Sequence, residues 1–371
     1  MIMKKNKSKN KEPEFSNEFL AKLEGPVVFI DPPLETAVSL MTTLGPARLE
    51  ELGTPRFFHF DDTKAQQLEE VIRDNDWPAR TIVFPDLWDI EPCQSLVWFP
   101  RRGENRELKL DLVEQSWHAL KPGGNLLVCL PTKDLGLTFP MIRKIYGTIH
   151  EFPGKVNSFF WTEREGSHPR RRHEIAFSVK LVKTGPYDLI SRPGVHCYGA
   201  IDEGTRTLCE VIEIEEGNRI LDICCGAGVA GIFAANKAGP TGEVVFADGS
   251  ARVRTVALIN AQANNIAKHS AISVEALGNL PDEHFDVILA HPPGFGTGAL
   301  TERIIEEASR LLGPQGRFYL LTKQPRETAP IVIANFRKAD ALVHRSYTVL
   351  VHNRAMPEGI LAEFEDDDFT Q

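Results

Sequence analysis

Two tandem α/β domains, each built on a doubly wound and mostly parallel sheet, are predicted from this sequence of 371 residues. Apolar strands alternate with helical patterns along most of the chain, which is typical of parallel sheets. A strand, a Gly-x-Gly turn and a helix follow one another at residues 219–238. The first domain is predicted at residues 15–184 and the second at residues 193–355, with the linker between them marked by Gly185-Pro186.

The composition is that of a soluble globular protein, with 42% hydrophobic and 25% charged residues. The net charge of −9 excludes an indiscriminate nucleic-acid coat protein, so any RNA contact requires a local basic patch. The six cysteines show no C-x-x-C spacing, and we therefore expect neither a disulfide framework nor a metal site. Without a signal peptide or a membrane-spanning apolar run, the expected location is the cytoplasm, with no membrane partner.

The first half of the chain shows the α/β alternation but no glycine turn. Its first strands are predicted at Val27–Ile30, Arg56–Phe60 and Thr81–Phe84. The first of them runs directly into Asp31-Pro32-Pro33. A glycine turn at that point is what lets a backbone approach a nucleotide-like ligand. We therefore expect no such cofactor in the first domain.

An internal repeat links the two halves. A strand that ends in proline is followed by a helix, a Pro/Gly turn and a further strand. In the first half this unit runs from Leu96 to Leu130 and contains Lys121-Pro-Gly-Gly124. In the second half it runs from Val287 to Leu321 and contains Gly313-Pro-Gln-Gly316. We interpret the repeat as a duplication whose first copy lost its ligand turn; chance similarity of two α/β halves is the alternative.

A basic loop, residues 163–173, is predicted between two antiparallel strands that close the first domain, Val156–Trp161 and Glu174–Val182. It contains three consecutive arginines in an otherwise acidic chain, Arg170, Arg171 and Arg172. They are the best local candidates for phosphate contacts. An ordinary solvated hairpin tip is the alternative.

The glycine turn of the second domain formally matches a dinucleotide fingerprint, Gly226-x-Gly228-x-x-Gly231, with Asp248 ending the next strand. An NAD(P)-dependent oxidoreductase is therefore one hypothesis. Two features argue against a dinucleotide fold. Asp222 places a carboxylate inside the strand before the turn, where it can serve a sulfonium with an α-amino group or hold the turn. His291-Pro292-Pro293 ends the fourth strand, beside the switch point where such sheets bind ligands.

These residues resemble those of a known family. The run L-D-I-C-C-G-A-G at Leu221–Gly228 is similar to the cofactor turn of class I S-adenosylmethionine (SAM) methyltransferases. Pro193–Val195 and Ile201–Thr205 resemble the segment that precedes this turn in the ribosomal RNA guanine-N2 methyltransferases. In that family a catalytically silent methyltransferase-like domain precedes an active one. The resemblance covers residues 193–354 well and the first half loosely.

The resemblance implies two tandem Rossmann-like methyltransferase domains, SAM as cofactor, no metal, and a monomer that acts on ribosomal RNA or a ribosomal subunit. The residues that it assigns to the cofactor are Asp202, Gly204, Asp222, Cys224, Gly226, Gly228, Asp248 and Asn279. Asp248 would accept hydrogen bonds from both ribose hydroxyls, with a helix cap as the alternative. Asn279 would contact the adenine, with an ordinary turn residue as the alternative. Cys224 and Cys225 are also expected to pack tightly rather than to act as nucleophiles.

The predicted catalytic residues are His291, Pro292, Pro293 and Phe295. The family pattern is Asn-Pro-Pro-Phe, and this chain has His291-Pro292-Pro293-Gly294 with the phenylalanine one place late. Acceptors aimed at the N–H groups of an exocyclic amine orient its lone pair toward the methyl group, and an aromatic ring stacks on the base. The altered loop leaves two alternatives open: a methyltransferase for a protein or small molecule, and a catalytically silent SAM- or RNA-binding module.

Both ends of the chain are interpreted as tails. Residues 1–14 carry five lysines and are expected to be disordered, with an RNA-steering arm as the alternative. Residues 356–371 form an acidic tail.

Overall fold

The protein is described by a computed structural model that covers residues 15–101, 103–131, 135–152, 157–181, 184–293 and 298–354. Both predicted tails lie outside these residues. The chain divides into two compact units, Met1–His173 and Glu174–Gln371. No helix in the described ranges combines the length and the apolar character that crossing a membrane requires.

The first unit alternates strands and helices as predicted. In chain order its elements are α1 (Asn17–Leu20), β1 (Val27–Ile30), α2 (Leu34–Glu51), β2 (Arg56–His59), α3 (Asp62–Asp74), β3 (Arg80–Val83), β4 (Cys93–Trp98), α4 (Arg106–Ala119), β5 (Leu120–Pro131), α5 (Leu135–Tyr146), β6 (His150–Phe152) and β7 (Asn157–Glu163). A short 3-10 helix, Leu87–Asp89, precedes β4. The helix α2 is interrupted at Gly45, whose φ is +71°.

The strands of the first unit form one seven-stranded sheet in the order β3-β2-β1-β4-β5-β7-β6. The strands from β3 to β5 are parallel, and β7 runs antiparallel to both β5 and β6. All four residues of β1 are buried, because helices cover both faces of the sheet and each face has its own apolar core.

The carboxyl end of β1 carries an ion network rather than a glycine turn. Asp31 has a φ of +39°. Its carboxylate lies 2.9 Å from His59 Nδ1 and 2.7 Å from an Arg101 guanidinium nitrogen. Lys64 adds a second cation at 3.6 Å. Burial raises the pKa of Asp31, but the hydrogen bond from His59 and the nearby cations outweigh it and hold the pKa below its ordinary value.

The second unit has its own strands and helices. In chain order they are β8 (Ile175–Lys180), β9 (Pro186–Ser191), α6 (Glu203–Val211), β10 (Arg219–Ile223), α7 (Val229–Ala238), β11 (Glu243–Asp248), α8 (Ala251–Ala263), β12 (His269–Ser273), β13 (Phe285–Ala290), α9 (Ala299–Leu311), β14 (Leu312–Thr322), α10 (Pro325–Phe336), β15 (Asp340–His344) and β16 (Tyr347–Asn353). A 3-10 helix, Val274–Asn279, follows β12.

Its seven-stranded sheet has the order β12-β11-β10-β13-β14-β16-β15, which repeats the order of the first unit position by position. The repeat predicted from the sequence occupies equivalent places in the two sheets, β4-α4-β5 and β13-α9-β14. The predicted fold class, two tandem doubly wound domains, is therefore confirmed. The central strand β10 pairs in parallel with β11 and β13, so its carboxyl end lies at the switch point of the sheet.

One predicted pairing is wrong. The segment expected to close the first domain, Glu174–Val182, contains β8, which pairs in antiparallel fashion with β9 in a separate two-stranded sheet of the second unit. β9 lies within the segment interpreted as the linker. Asn260 on α8 holds it, because the Asn260 side chain bonds both the N–H and the carbonyl of Ile190. Such side-chain contacts between distant segments leave no local pattern in the sequence.

Candidate cofactor and catalytic site

The turn between β10 and α7 passes through three residues of left-handed conformation. Cys224 has a φ of +59°, Gly226 of +54° and Gly228 of +81°. The N–H of Cys224 donates to the Ala247 carbonyl at 2.8 Å, which ties the turn to β11. A Cβ built on Gly226 would meet nothing within 4 Å, so the space in front of this residue is open. A Cβ on Gly228 would instead lie 3.0 Å from Ala257 Cβ, so this glycine serves close packing.

Asp222 lies buried beneath the turn, with 2% of its surface exposed. Its Oδ2 accepts a hydrogen bond from the N–H of Gly231 at 2.9 Å. A Cβ on Gly231 would approach Phe246 Cε1 to 2.6 Å and Asp222 Oδ2 to 2.8 Å, so only glycine lets α7 pack this closely. Burial and then the charge of Asp248 raise the pKa of Asp222 to about 7. Asp222 therefore holds the turn, and its carboxyl group below the turn changes between the protonated and the ionised form near neutral pH.

Asp248 ends β11, beside the glycine turn. Its charge raises the pKa values of Asp222 and of the Cys224 thiol, after the larger effect of burial. Its Oδ1 accepts a hydrogen bond from the Ser250 N–H at 2.9 Å. The side chain that caps α8 is that of Ser250, which accepts from the Val253 N–H. Asp248 is partly exposed, so its carboxylate can reach a ligand in front of the turn.

Asp202 and His291 meet at the carboxyl end of β13. Asp202 is the N-cap of α6, and its Oδ1 accepts from the Thr205 N–H at 2.5 Å. Its Oδ2 lies 3.1 Å from His196 Nε2 and 3.8 Å from His291 Nδ1. The backbone N–H of His291 donates to the Ile223 carbonyl at 3.2 Å, which fixes this loop to the end of β10.

The pKa values of Asp202 and His291 are lowered, whereas that of His196 is raised. Burial raises the pKa of Asp202, but hydrogen bonds from His196 and Thr205 outweigh it and hold the pKa well below its ordinary value. The hydrogen bond to Asp202 raises the pKa of His196. Burial lowers the pKa of His291 despite the Asp202 charge. Near neutral pH the Asp202 side chain is thus a carboxylate, and the His291 ring is neutral and carries one acceptor nitrogen.

Of the other predicted catalytic residues, Pro292 is buried and Pro293 is exposed. Phe295 and Gly294 lie outside the described residues. The structure adds an aromatic residue that the sequence did not point to, because Tyr347 comes from the distant strand β16. The centroid of its ring lies 6.5 Å from that of His291, and Lys323 Nζ lies 4.5 Å from the Tyr347 ring centroid.

The remaining predicted cofactor residues differ in their surroundings. Gly204 packs against His291, since a Cβ built on it would lie 2.9 Å from His291 Cε1. Asn279 is the exposed last residue of the 3-10 helix that follows β12. Burial raises the pKa of Cys224 far above its ordinary value, which leaves this thiol neutral. The open space at Gly226 and the carboxylates Asp222 and Asp248 fit a cationic, ribose-bearing molecule such as SAM.

The arginine-rich loop of the first unit folds over two tryptophans. Arg170 and Arg172 lie with their guanidinium carbons 4.4 and 5.4 Å from the Trp88 ring centroid. Arg164 lies 4.2 Å from the Trp117 ring centroid. Such stacking orders an arginine while its N–H groups stay available to solvent. All three of Arg170, Arg171 and Arg172 are exposed.

Comparison with known proteins gives a family match within the second unit. Residues 186–351 match the family model of the methyltransferase small domain. The ribosomal RNA small subunit methyltransferase C of Pseudoalteromonas atlantica is 30% identical over 242 residues, which are 60% of this chain and 66% of that protein. The enzyme of the same name from Chromohalobacter salexigens is 33% identical over 144 residues, 36% of this chain and 41% of that protein. The aligned segments thus span less than two thirds of these relatives.

A solved structure shares the fold. The T. thermophilus 16S rRNA N2 guanine methyltransferase, in complex with AdoMet and guanosine, superimposes with a TM-score of 0.71. The superposition covers 89% of this chain and 88% of that chain at 18% sequence identity. The two-unit fold of this protein is therefore the tandem, Rossmann-like methyltransferase fold, as the sequence resemblance predicted.

Proposed function

We propose that this chain, which carries a class I methyltransferase domain in residues 186–351, transfers a methyl group from SAM to the exocyclic N2 of a guanine in ribosomal RNA. One observation carries the proposal. At a single edge of the second sheet, the open glycine turn lies above Asp222, beside Asp248 on one neighbouring strand and His291 on the other. That arrangement combines a site for a cationic nucleoside with an acceptor for an amine.

Asp248 would hold the ribose hydroxyls of SAM, and Gly226 would let its backbone approach. Asp222 and Asp202 would face the positively charged methionine end, with Asp202 held in place by the Thr205 N–H. Gly228 and Cys224 would shape the turn, and Asn279 would contact the adenine. When bound, SAM supplies an electrophilic methyl group on a sulfonium.

His291 would orient the guanine amine. The Asp202 carboxylate lies 3.8 Å from Nδ1 of His291, which favours the ring proton on that nitrogen. Nε2 is then the acceptor, and it can take one N–H of the amine while the carbonyl of Pro292 takes the other. This holds the lone pair of a poor nucleophile in line with the methyl group. Pro293 fixes the loop, and Phe295 supplies the stacking ring.

The first unit would position the RNA. Its sheet lacks the glycine turn, and its ordered arginines at Trp88 present N–H groups suited to phosphate. We propose contacts from Arg170, Arg171 and Arg172, and a chain that acts as a monomer on the ribosomal subunit. Size-exclusion chromatography with light scattering checks the oligomeric state.

Transfer of labelled methyl from SAM tests the proposal. Small ribosomal subunits, free guanosine and a quinone, which represents the alternative of a small-molecule substrate, are compared as acceptors. The labelled RNA is digested and its nucleosides are identified by mass spectrometry. We expect N2-methylguanosine from the subunit, no product with His291→Ala, and activity retained with His291→Asn, which restores the family residue. His344→Ala is the matched histidine control. Label in the quinone, or none in any acceptor, would refute the substrate assignment, and binding of NADH in place of SAM would refute the cofactor.

A further inference from the structure

A cluster of metal-ligating side chains lies at the start of α6. His196, Cys197 and Asp202 each offer a ligand atom, and these atoms all lie within 4.8 Å of one another. The first two residues are adjacent in the chain, where extended backbone would direct successive side chains to opposite sides. Cys197 has a φ of +54°, and this left-handed turn brings the two side chains together. A non-glycine residue in that conformation is strained, which is frequent at functional sites.

The two distances to Asp202 Oδ2 are close to those around a tetrahedral ion. Zinc bonds of ~2.0–2.3 Å place neighbouring ligand atoms about 3.3–3.8 Å apart. His196 Nε2 and Asp202 Oδ2 are 3.1 Å apart, and His291 Nδ1 is 3.8 Å from the same oxygen. The other oxygen of Asp202 is held by the Thr205 N–H, which orients the carboxylate in the way that metal ligands are oriented by a second hydrogen bond.

We propose that His196, Cys197 and Asp202 bind one divalent ion of the zinc class, and that His291, whose Nδ1 is 3.8 Å from Asp202 Oδ2, becomes the fourth ligand once its ring moves toward the ion and Nδ1 loses its proton. A thiolate, two imidazoles and a carboxylate are the donors that zinc and cobalt prefer, whereas magnesium and calcium favour oxygen alone. The His196 side chain is 72% exposed, so the ion can enter from solvent. The sequence has no C-x-x-C spacing and therefore predicts no metal site. The proposed ligands have no such spacing because they come together only in the folded chain.

A bound metal ion would also inhibit the proposed methyl transfer. Asp202 and His291 are assigned by the proposed function to the cofactor and the acceptor, so a bound ion would withdraw both from that role. This consequence rests on the proposed function, whereas metal binding itself does not.

Cobalt(II) titration of the purified, full-length, reduced protein tests the site without reference to methyl transfer. We expect one equivalent to bind with a thiolate-to-cobalt charge-transfer absorption band and the visible bands of tetrahedral cobalt. Cys197→Ser should abolish the charge-transfer band. His196→Ala and His291→Ala should each weaken binding at least tenfold, by analogy with the ~10–100-fold effect of residues that only support a ligand.

The matched control is His344→Ala, which removes a histidine paired with a carboxylate, Glu210, outside the proposed cluster. It should bind cobalt as the unmodified chain does. Circular dichroism spectra establish that each variant is folded. Absence of the thiolate band in the unmodified protein, or an unchanged band in Cys197→Ser, overturns the proposal. Unchanged affinity in His291→Ala overturns the assignment of the fourth ligand.

Discussion

Gly204 on α6 lies directly against the ring of His291, at a distance that leaves no room for a methyl group. A Cβ built on Gly204 would be 2.9 Å from His291 Cε1 and 2.5 Å from Leu321 Cδ2. The helix α6 and its N-cap Asp202 thus fix both the charge near the histidine and the position of its ring. The proposed amine acceptor is held by a residue that contributes no side chain.

Gly204→Ala should therefore reduce turnover more than cofactor binding. The added methyl group displaces the His291 ring and should lower kcat at least tenfold, with a loss of ~1–3 kcal/mol in the free energy of unfolding from overpacking. Steady-state kinetics and denaturation measure the two effects. Gly185→Ala is the control, since a Cβ there meets nothing within 4 Å. An unchanged kcat would show that the position of the ring does not matter.

Asp248→Asn should weaken SAM binding at least tenfold, because two charge-assisted hydrogen bonds to the ribose become weaker neutral ones. Isothermal titration calorimetry measures the dissociation constant, and thermal unfolding without ligand should change little. Asp340→Asn, at the exposed start of β15, is the control. Equal SAM affinity in both variants would contradict the ribose role of Asp248.

Asp222→Asn should change how stability depends on pH. The pKa of Asp222 is raised from 3.8 in the unfolded chain to about 7 in the folded protein. The folded state therefore binds the proton more tightly, so the contribution of Asp222 to stability is fully present below the unfolded pKa and is lost as the pH rises toward about 7. The amide keeps an oxygen for the Gly231 N–H but never ionises.

The variant should accordingly gain stability relative to the unmodified chain as the pH rises from ~5 to ~8, by ~1–3 kcal/mol. Denaturant unfolding in that range measures the difference, and Asp340→Asn should parallel the unmodified chain. A difference that does not vary with pH would show that Asp222 is ionised throughout. The variant should also lose the increase in SAM affinity that accompanies ionisation of this carboxylate.

Arg171→Glu should weaken RNA binding without affecting methyl transfer to a saturating substrate. Loss of one phosphate contact lowers the slope of log K against log salt concentration by about one, and the reversed charge should reduce affinity ~3–10-fold at low salt. Fluorescence anisotropy with ribosomal RNA across salt concentrations gives both quantities. Arg73→Glu, an arginine that is 72% exposed on α3, is the control. Equal slopes for the two variants would exclude a phosphate contact.

Apolar strands with turn signals at both ends could be predicted well. β10, Arg219–Ile223, begins where the predicted strand, turn and helix begin, and β13, Phe285–Ala290, contains the start of the predicted repeat, because five or six mostly buried residues leave few alternatives. β9 was missed because Pro186 at its start reads as a linker, although proline is tolerated at the first residue of an edge strand. Its position depends on Asn260, which lies 70 residues away from Ile190.

The residues of the candidate site could likewise be predicted only in part. The glycine turn and Asp248 have local signals, since a strand, a turn and a helix are contiguous in the chain. The contact of His291 with Gly204 and Tyr347 does not, because it joins α6, β13 and β16. His196 and Cys197 also carry no local signal, since their relation to His291 depends on how α6 packs beside the sheet.

The ion network at the carboxyl end of β1 has a consequence for stoichiometry. Asp31, bonded to His59 and Arg101, occupies the point in the first sheet at which the second sheet has its open turn. The described residues therefore provide one cradle for a methyl donor although the sheet order occurs twice. Saturation at one equivalent per chain, with a hyperbolic isotherm and a Hill coefficient of one, is the behaviour that this asymmetry requires.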